Sequence, residues 1–175
     1  MASPSGTSDP VQRDPTTADQ AFDAAFSLVA FSMNRYVIDH MLRAARQFTD
    51  GDFEMLVLWA VLAHQNVTHL MPPGSMPSTV LTDGGRVPDD VKRLKPLLLR
   101  DLTAITGIPR ETVRRKLEKL AARRFVERRG RAWVISTERF EPDLRDFTRE
   151  STRRMLAAAD EIRMQLAVPE TKARG

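Results

Sequence analysis

The first part of the chain carries a hydrophobic stripe at helical spacing. Apolar and aromatic side chains recur at intervals of four and three residues, at Phe22, Phe26, Val29, Met33, Tyr36 and His40. This heptad-like spacing predicts an α-helix from about residue 16 to residue 48. A helix of that length with so broad an apolar face needs other helices to cover it, and a second copy of the chain is a natural source.

A second stripe near the end of the chain predicts a last helix, from about residue 143 to residue 167. Its members are Leu144, Phe147, Ser151, Met155, Ala158, Ile162 and Leu166. Such stripes can form the core of a single chain or the seam of a dimer. The small domain expected at residues 97–136 offers little surface to cover both. We therefore expect a homodimer whose contacts include Phe22, Phe26, Val29, Met33, Leu144, Phe147, Met155 and Ile162.

Between the stripes, Gly51 is expected to end the first helix, and Asp50 or Asp52 to cap a second one. Residues 53–70 are apolar almost all round at the start, which predicts a buried central helix. The longest unbroken apolar run, Met55 to Ala63, is nine residues. A transmembrane helix needs about 20, so we expect no membrane partner.

Residues 97–140 carry shorter stretches of regular apolar spacing, which predict short strands and helices. Leu97–Leu99 suggests a brief strand, and Leu102 and Ile105 a short helix that ends at the Gly107 turn. A further helix, with Pro109 as its first residue, is expected to bury Val113, Leu117 and Leu120. Two strands, residues 125–128 and 131–135, then flank Arg129 and Gly130. The predicted fold class is mainly α with a small β-hairpin, framed by long terminal helices.

The pattern divides the chain into six segments. Residues 71–90 contain four of the eleven prolines and three of the eight glycines, which is typical of an irregular loop. The N-terminus is rich in Ser, Pro, Thr and Asp and predicts disorder. The segments are a disordered tail at 1–15, a helical dimerisation region at 16–70, the loop at 71–96, a hairpin-containing segment at 97–140, a dimerisation helix at 141–168 and a tail at 169–175.

Charge is concentrated in one part of the chain. Residues 91–140 hold 15 Lys and Arg against 5 Asp and Glu, a balance of +10, although the net charge of the whole chain is only +4. Residues 1–90 hold 5 against 11, a balance of −6. This polarisation indicates a localised surface for a polyanion. Cysteine is absent, which fits a reducing cytoplasm and leaves no disulfide or cysteine-ligated metal.

A helical wheel at about 100° per residue assigns roles along the basic helix. Arg115 lies opposite the face of Val113, Leu117 and Leu120. Together with Glu111 and with Arg110 in the first turn, it is predicted to contact DNA bases. The residues predicted to contact the DNA backbone are Thr112, Arg114, Lys119, Arg128, Arg129 and Arg131.

The sequence "TGIPRETVRRKLEKLAARRFVERRG" resembles the DNA-binding segment of bacterial winged helix-turn-helix transcription regulators. Arg110, Glu111 and Arg115 are similar to the recognition helix of Crp/Fnr regulators, although those proteins place a β-roll before the motif where this chain reads as helical. The long helices at both ends resemble the MarR family, whose terminal helices interlock in a dimer. The resemblance implies a dimeric, cytoplasmic regulator that binds double-stranded DNA through residues 97–140.

Other interpretations of the same residues remain open. Glu111 and Arg115 can form an ordinary helix salt bridge, and a winged helix can dock an acidic protein partner. Trp59 and its apolar neighbours can line a pocket for an unidentified small-molecule effector or form packed core. His64 and His69 do not share a helix face, so we expect no metal site with His40. No constellation of catalytic residues is visible, and we expect neither enzyme activity nor a cofactor.

Overall fold

The computed structural model describes residues 16–70, 74, 94–136 and 141–167. Its elements, in chain order, are helix α1 (Thr17–Thr49), helix α2 (Phe53–Val67), a short 3-10 turn (Thr68–Leu70), strand β1 (Leu97–Leu98), helix α3 (Leu99–Thr106), helix α4 (Arg110–Ala122), strands β2 (Val126–Arg129) and β3 (Ala132–Ile135), and helix α5 (Glu141–Leu166). The described chain is mainly helical with one small antiparallel sheet, as the sequence predicted. The predicted tails, and the loop apart from residues 74 and 94–96, lie outside the described residues.

The turn between α1 and α2 forms as its residue types predict. Asp50 and Gly51 both have positive φ, 52° and 85°, a conformation that Gly and Asp tolerate better than most residues. Asp52 is the N-cap of α2, and its carboxylate accepts a hydrogen bond of 3.0 Å from the backbone N–H of Met55. One of the unpaired amides at the start of the helix is thereby satisfied.

The sheet has the strand order β1-β3-β2, and both pairings are antiparallel. Because Arg129 pairs with Ala132, the hairpin turn consists of Gly130 and Arg131. This is one residue later than the predicted turn at Arg129 and Gly130. Gly130 has a φ of +59°, and a two-residue hairpin turn that begins with positive φ favours glycine at its first position. Arg129 consequently belongs to a strand.

A short turn joins α3 to α4. Gly107 ends α3 in the left-handed conformation with a φ of 70°, and its N–H donates to the carbonyl oxygen of Thr103 at 2.9 Å. Pro109, predicted as the first residue of the next helix, is instead its N-cap. Its missing N–H costs nothing there, since the amides of a first turn have no partner within the helix.

The hydrophobic core lies among α2, α3, α4 and the sheet. Its fully buried side chains include Leu58, Leu62, Leu102, Val113, Leu117 and Leu120. The Trp59 ring lies 5.2 Å from that of Phe48 and 5.4 Å from that of Phe125, measured between centroids. Trp59 is therefore part of the packed core, and the alternative of an effector pocket around it is not supported.

A buried amide, Asn66, fastens the sheet to the end of α2. Its Nδ2 donates to the carbonyl oxygen of Lys95 at 2.7 Å, and its Oδ1 accepts from the N–H of Ile135 at 2.7 Å. The residue is fully buried, so these bonds satisfy groups that would otherwise be costly to remove from water. The amide thus holds the chain before β1 and the end of β3 beside α2.

The chain separates into two compact units whose boundaries fall within α1 and α5. The core unit is residues 39–151; the helix-pair unit comprises residues 1–38 and 152–175, of which 16–38 and 152–167 are described. In the helix-pair unit, Gln165 Nε2 donates to Ser32 Oγ at 2.9 Å. An ion pair of Arg35 with Glu161 adds a second link between the two helices.

Candidate nucleic-acid interface

Helix α4 presents one charged face and buries the opposite one. Val113, Leu117 and Leu120 have no exposed surface, as the wheel predicted. The exposed side chains of the opposite face are Arg110, Glu111, Arg114, Arg115 and Lys119, and Thr112 is half-buried.

The start of the helix is set by Gly107 and Pro109, so Arg110 occupies its first position. The residues assigned to base contacts and three assigned to the backbone therefore share one helix.

The charged face of α4 is internally paired around Arg114. Its Nε donates to Glu111 Oε2 at 3.0 Å, and its Nη1 donates to Glu118 Oε1 at 2.6 Å. The hydrogen bond from Arg114 lowers the pKa of the Glu111 carboxyl below its usual value, so Glu111 stays ionised. The salt bridge considered from the sequence joined Glu111 to Arg115; the pair that forms joins Glu111 to Arg114. A phosphate that contacts Arg114 must therefore compete with this pairing for the guanidinium.

Arg115 has a different environment from its neighbour. It is exposed, and no hydrogen bond or ion pair to it is found within the described part of the chain. The nearby Glu111 carboxylate interacts with it only through space. Five guanidinium donors thus remain available to an external acceptor, such as the O6 and N7 atoms of a guanine.

Lys116 is a residue of the basic helix that sequence reasoning missed. It is only 8% exposed. Its ammonium donates to both carboxylate oxygens of Asp52, at 2.6 and 2.5 Å, and lies 3.2 Å from Glu54. Burial alone would lower the pKa of Lys116, but the hydrogen bonds to Asp52 and Glu54 raise it above its usual value. Its position three residues after Val113 was the available signal for a place near the core side.

The hairpin carries three arginines in different surroundings. The Nε of Arg128 donates to the carbonyl oxygen of Gly130 at 3.0 Å, and its guanidinium lies 6.0 Å from the centre of the Trp133 ring. Arg129 is half-buried in β2, whereas Arg131 is exposed in the turn. The bond to Gly130 and the ring hold Arg128 beside the turn.

Three of these predicted residues meet around an open depression of about 420 Å³. Arg110 reaches it from the start of α4, and Arg128 and Arg131 from the hairpin. Arg100 of α3 contributes a fourth guanidinium, and Leu98 and Leu99 supply apolar lining. We call this feature the arginine depression. Arg115, Lys119 and Thr112 are not among its described lining residues.

The strand pairing explains why Arg100 lies there. Leu98 pairs with Ala132, the residue that follows Arg131. Since α3 begins directly after β1, this register brings the first turn of α3 beside the hairpin turn. Arg100 gave no periodic signal of its own, because its place depends on a pairing between residues more than thirty positions apart.

The side chains predicted to contact a second copy differ in exposure. In the helix-pair unit, Phe22, Phe26, Met33 and Met155 are 42%, 55%, 52% and 47% exposed, and Ile162 is half-buried. In the core unit, Leu144 is also exposed. Val29 and Phe147 are buried within the chain, at 7% and 9%. Intrachain packing leaves little of either side chain for a partner, and the dimer contacts stay a prediction.

Further exposed apolar side chains accompany them in the helix-pair unit, namely Leu28, Phe31, Val37, Ile38, Leu156 and Met164. The spacing of Ala25, Val29 and Ser32, which are all buried, marks the side of α1 that the chain itself covers. The remaining apolar surface of this unit is larger than the sequence stripe indicated.

Among the described residues, no helix combines the length and the apolar character that a membrane span requires. Within the same residues, no three His, Asp or Glu side chains cluster as metal ligands would. No protein-family model, curated protein or solved structure matches the chain significantly.

Proposed function

We propose that the chain is a winged helix-turn-helix transcription regulator that binds double-stranded DNA as a homodimer. In this proposal α3 and α4 form the helix-turn-helix, the β2–β3 hairpin is the wing, and α4 enters the major groove. The supporting observation is the arginine depression, where Arg110 at the start of α4 meets Arg128 and Arg131 of the hairpin. A recognition helix and a wing that bind the same duplex need this proximity.

The order and pairing of the elements also support the proposal. Helix α3, the Gly107 turn, helix α4 and the hairpin follow one another without interruption, and β1 completes the sheet beside β3. The resemblance to bacterial winged-helix regulators rests on the same residues. We further propose MarR-like dimerisation through α1 and α5, because the helix-pair unit exposes apolar side chains that a second copy can cover.

Salt dependence tests whether the arginines contact DNA phosphates. Lys and Arg side chains that neutralise phosphates release counterions, so log Kd should change steeply with log salt. We expect Arg129→Ala to weaken binding to all duplexes alike and to reduce the slope by about 1. Fluorescence anisotropy with labelled duplexes at several salt concentrations measures both effects. Arg46→Ala, which removes an exposed arginine of α1, is the matched control.

One observation favours a second candidate, a module that docks an acidic protein. The exposed face of α4 carries the carboxylates of Glu111 and Glu118 beside its cations, and a mixed face suits a mixed protein surface better than a uniform polyanion. Under this alternative, duplex binding shows no sequence preference, and Arg115→Ala weakens all duplexes equally.

A further inference from the structure

The arginine depression has the chemistry of a phosphate site. Four guanidinium groups from α3, α4 and the hairpin line it. The described lining residues include no carboxylate. Asp101 lies beside the depression: its Oδ1 is 3.5 Å from Arg100 Nε, and its Oδ2 accepts from the N–H of Leu98 at 3.0 Å. The lining itself carries four permanent positive charges.

Planar guanidinium groups match phosphate oxygens in shape as well as charge. Each arginine offers five N–H donors in a fixed fork, and paired N–H groups can contact two oxygens of one phosphate. Arg128 is held in place by its bond to Gly130, so some of the cost of ordering its side chain is already met before an anion binds. The first turn of α4 fixes the backbone position of Arg110.

The concave shape distinguishes a free phosphate compound from a DNA strand. A phosphodiester carries one negative charge, and the sugars on both sides limit how far it can enter a recess. A terminal phosphate group carries about −1.5 to −2 charges at pH 7 and has only one attachment, so it can approach the guanidinium groups more closely than a phosphodiester. Leu98 and Leu99 add apolar surface for the carbon part of such a compound.

We propose that the arginine depression binds the terminal mono- or diphosphate group of a free compound, in competition with duplex DNA. The competition rests on the proposed function, because Arg110, Arg128 and Arg131 serve both ligands. The binding of the phosphate group does not rest on it. The depression would then make DNA binding sensitive to a phosphorylated small molecule.

Calorimetric titration with inorganic pyrophosphate, at fixed ionic strength, tests the binding. We expect one pyrophosphate per chain, and an affinity reduced about tenfold in Arg100→Ala and in Arg131→Ala, since each removes a charged hydrogen-bond donor. Arg115→Ala and Arg46→Ala remove exposed arginines that do not line the depression, and they should bind as the unchanged protein does. Absence of pyrophosphate binding, or binding by Arg100→Ala and Arg131→Ala that is as tight as that of the unchanged protein, overturns the site.

A competition assay separates this inference from the proposed function. Pyrophosphate should displace a labelled duplex more strongly than sulfate does at equal ionic strength, and Arg100→Ala should reduce that difference. If the duplex binds but pyrophosphate does not, the phosphate site is wrong and the proposed function is unaffected. If pyrophosphate binds but no duplex does, the site is upheld and the competition is wrong. Equal displacement by sulfate and pyrophosphate also contradicts the competition.

Discussion

Arg114 and Arg115 are consecutive on α4 but differ in what surrounds them. Arg114 donates to Glu111 and Glu118, and these carboxylates raise the pKa of its guanidinium. Arg115 is exposed and has no such pairing within the described residues. The free energy that Arg114 gains from a phosphate is offset by the contacts it must give up. Arg115 has no comparable cost.

We expect Arg115→Ala to lose about 1–3 kcal/mol of discrimination at one base pair. Arg114→Ala should leave the salt dependence of duplex binding unchanged. An arginine that stays paired with carboxylates neutralises no DNA phosphate, so it releases no counterion from the duplex. Anisotropy titrations of both variants against a preferred duplex and its single-base changes measure the two effects. A reduction of the salt slope by about 1 in Arg114→Ala would show that it contacts a phosphate.

The sequence predicted which residues of α4 are exposed, but not which of them pair. Exposure follows from the spacing of Val113, Leu117 and Leu120, a property of the helix alone. Pairing depends on a choice among neighbours, since Glu111 lies within reach of both Arg114 and Arg115. The contact of Lys116 with Asp52 joins residues 64 positions apart, and no local pattern indicates it.

At the scale of elements, the ion pairs of Lys116 with Asp52 and Glu54 connect α4 to the start of α2. Asp52 caps α2 and accepts from Lys116 at the same time. Burial alone would raise the pKa of Asp52, but the hydrogen bonds from Lys116 and from the Met55 amide lower it below its usual 3.8. The orientation of α4 against α2 is thus fixed by a partly buried ion pair as well as by packing.

Lys116→Met should lower the free energy of unfolding by about 1–3 kcal/mol near pH 7, because Asp52 loses a charged partner. Asp52 contributes this stability while ionised, above its ordinary pKa of 3.8, and loses it as pH falls through the lowered folded value. The contribution of Lys116 persists below 10.5 and is lost as pH rises through its raised pKa. Urea denaturation across this pH range is the measurement.

Asp52→Asn is the informative companion variant, since asparagine also caps helices well but carries no charge. In a double-mutant cycle with Lys116→Met, the two costs should not add. If Lys116→Met costs as much at pH 3 as at pH 7, the loss comes from packing of the lysine stem and not from the ion pair.

Strand and helix positions were largely predictable, whereas the register of the hairpin was not. The ends of the predicted long helices agree with the observed ones within about three residues, because their apolar spacing is long and regular. The turn was placed one residue early, since Arg129-Gly130 and Gly130-Arg131 are equally plausible two-residue turns. The positive φ of Gly130 and the pairing of Arg129 with Ala132 decide between them.

At the scale of the whole molecule, the exposed apolar side chains of the helix-pair unit bear on assembly. Phe26 and Phe31 are 55% and 65% exposed. The stripe predicted from the sequence did not distinguish Val29, which is buried in the chain, from Phe26, which is not. The spacing of apolar residues does not show which side of a broad apolar face packs within the same chain and which side is left for a partner.

We expect Phe26→Ser to shift the protein from dimer to monomer and to weaken duplex binding, because each half-site then binds alone. Phe53→Ser is the matched control: Phe53 is 43% exposed at the start of α2 and lies outside the predicted seam. Sedimentation velocity measures the assembly state. A Phe26→Ser protein that remains dimeric would place the interface elsewhere.

Selection of bound duplexes from random DNA by the purified protein tests most directly whether α4 and the hairpin read DNA. We expect one enriched pseudo-palindromic motif whose half-sites lie about one helical turn apart, ~34–36 Å between centres. With Arg115→Ala, the selected motif should lose its preference for one base pair at one position of each half-site. Recovery of unenriched sequence after repeated rounds would contradict sequence-specific DNA binding by this surface.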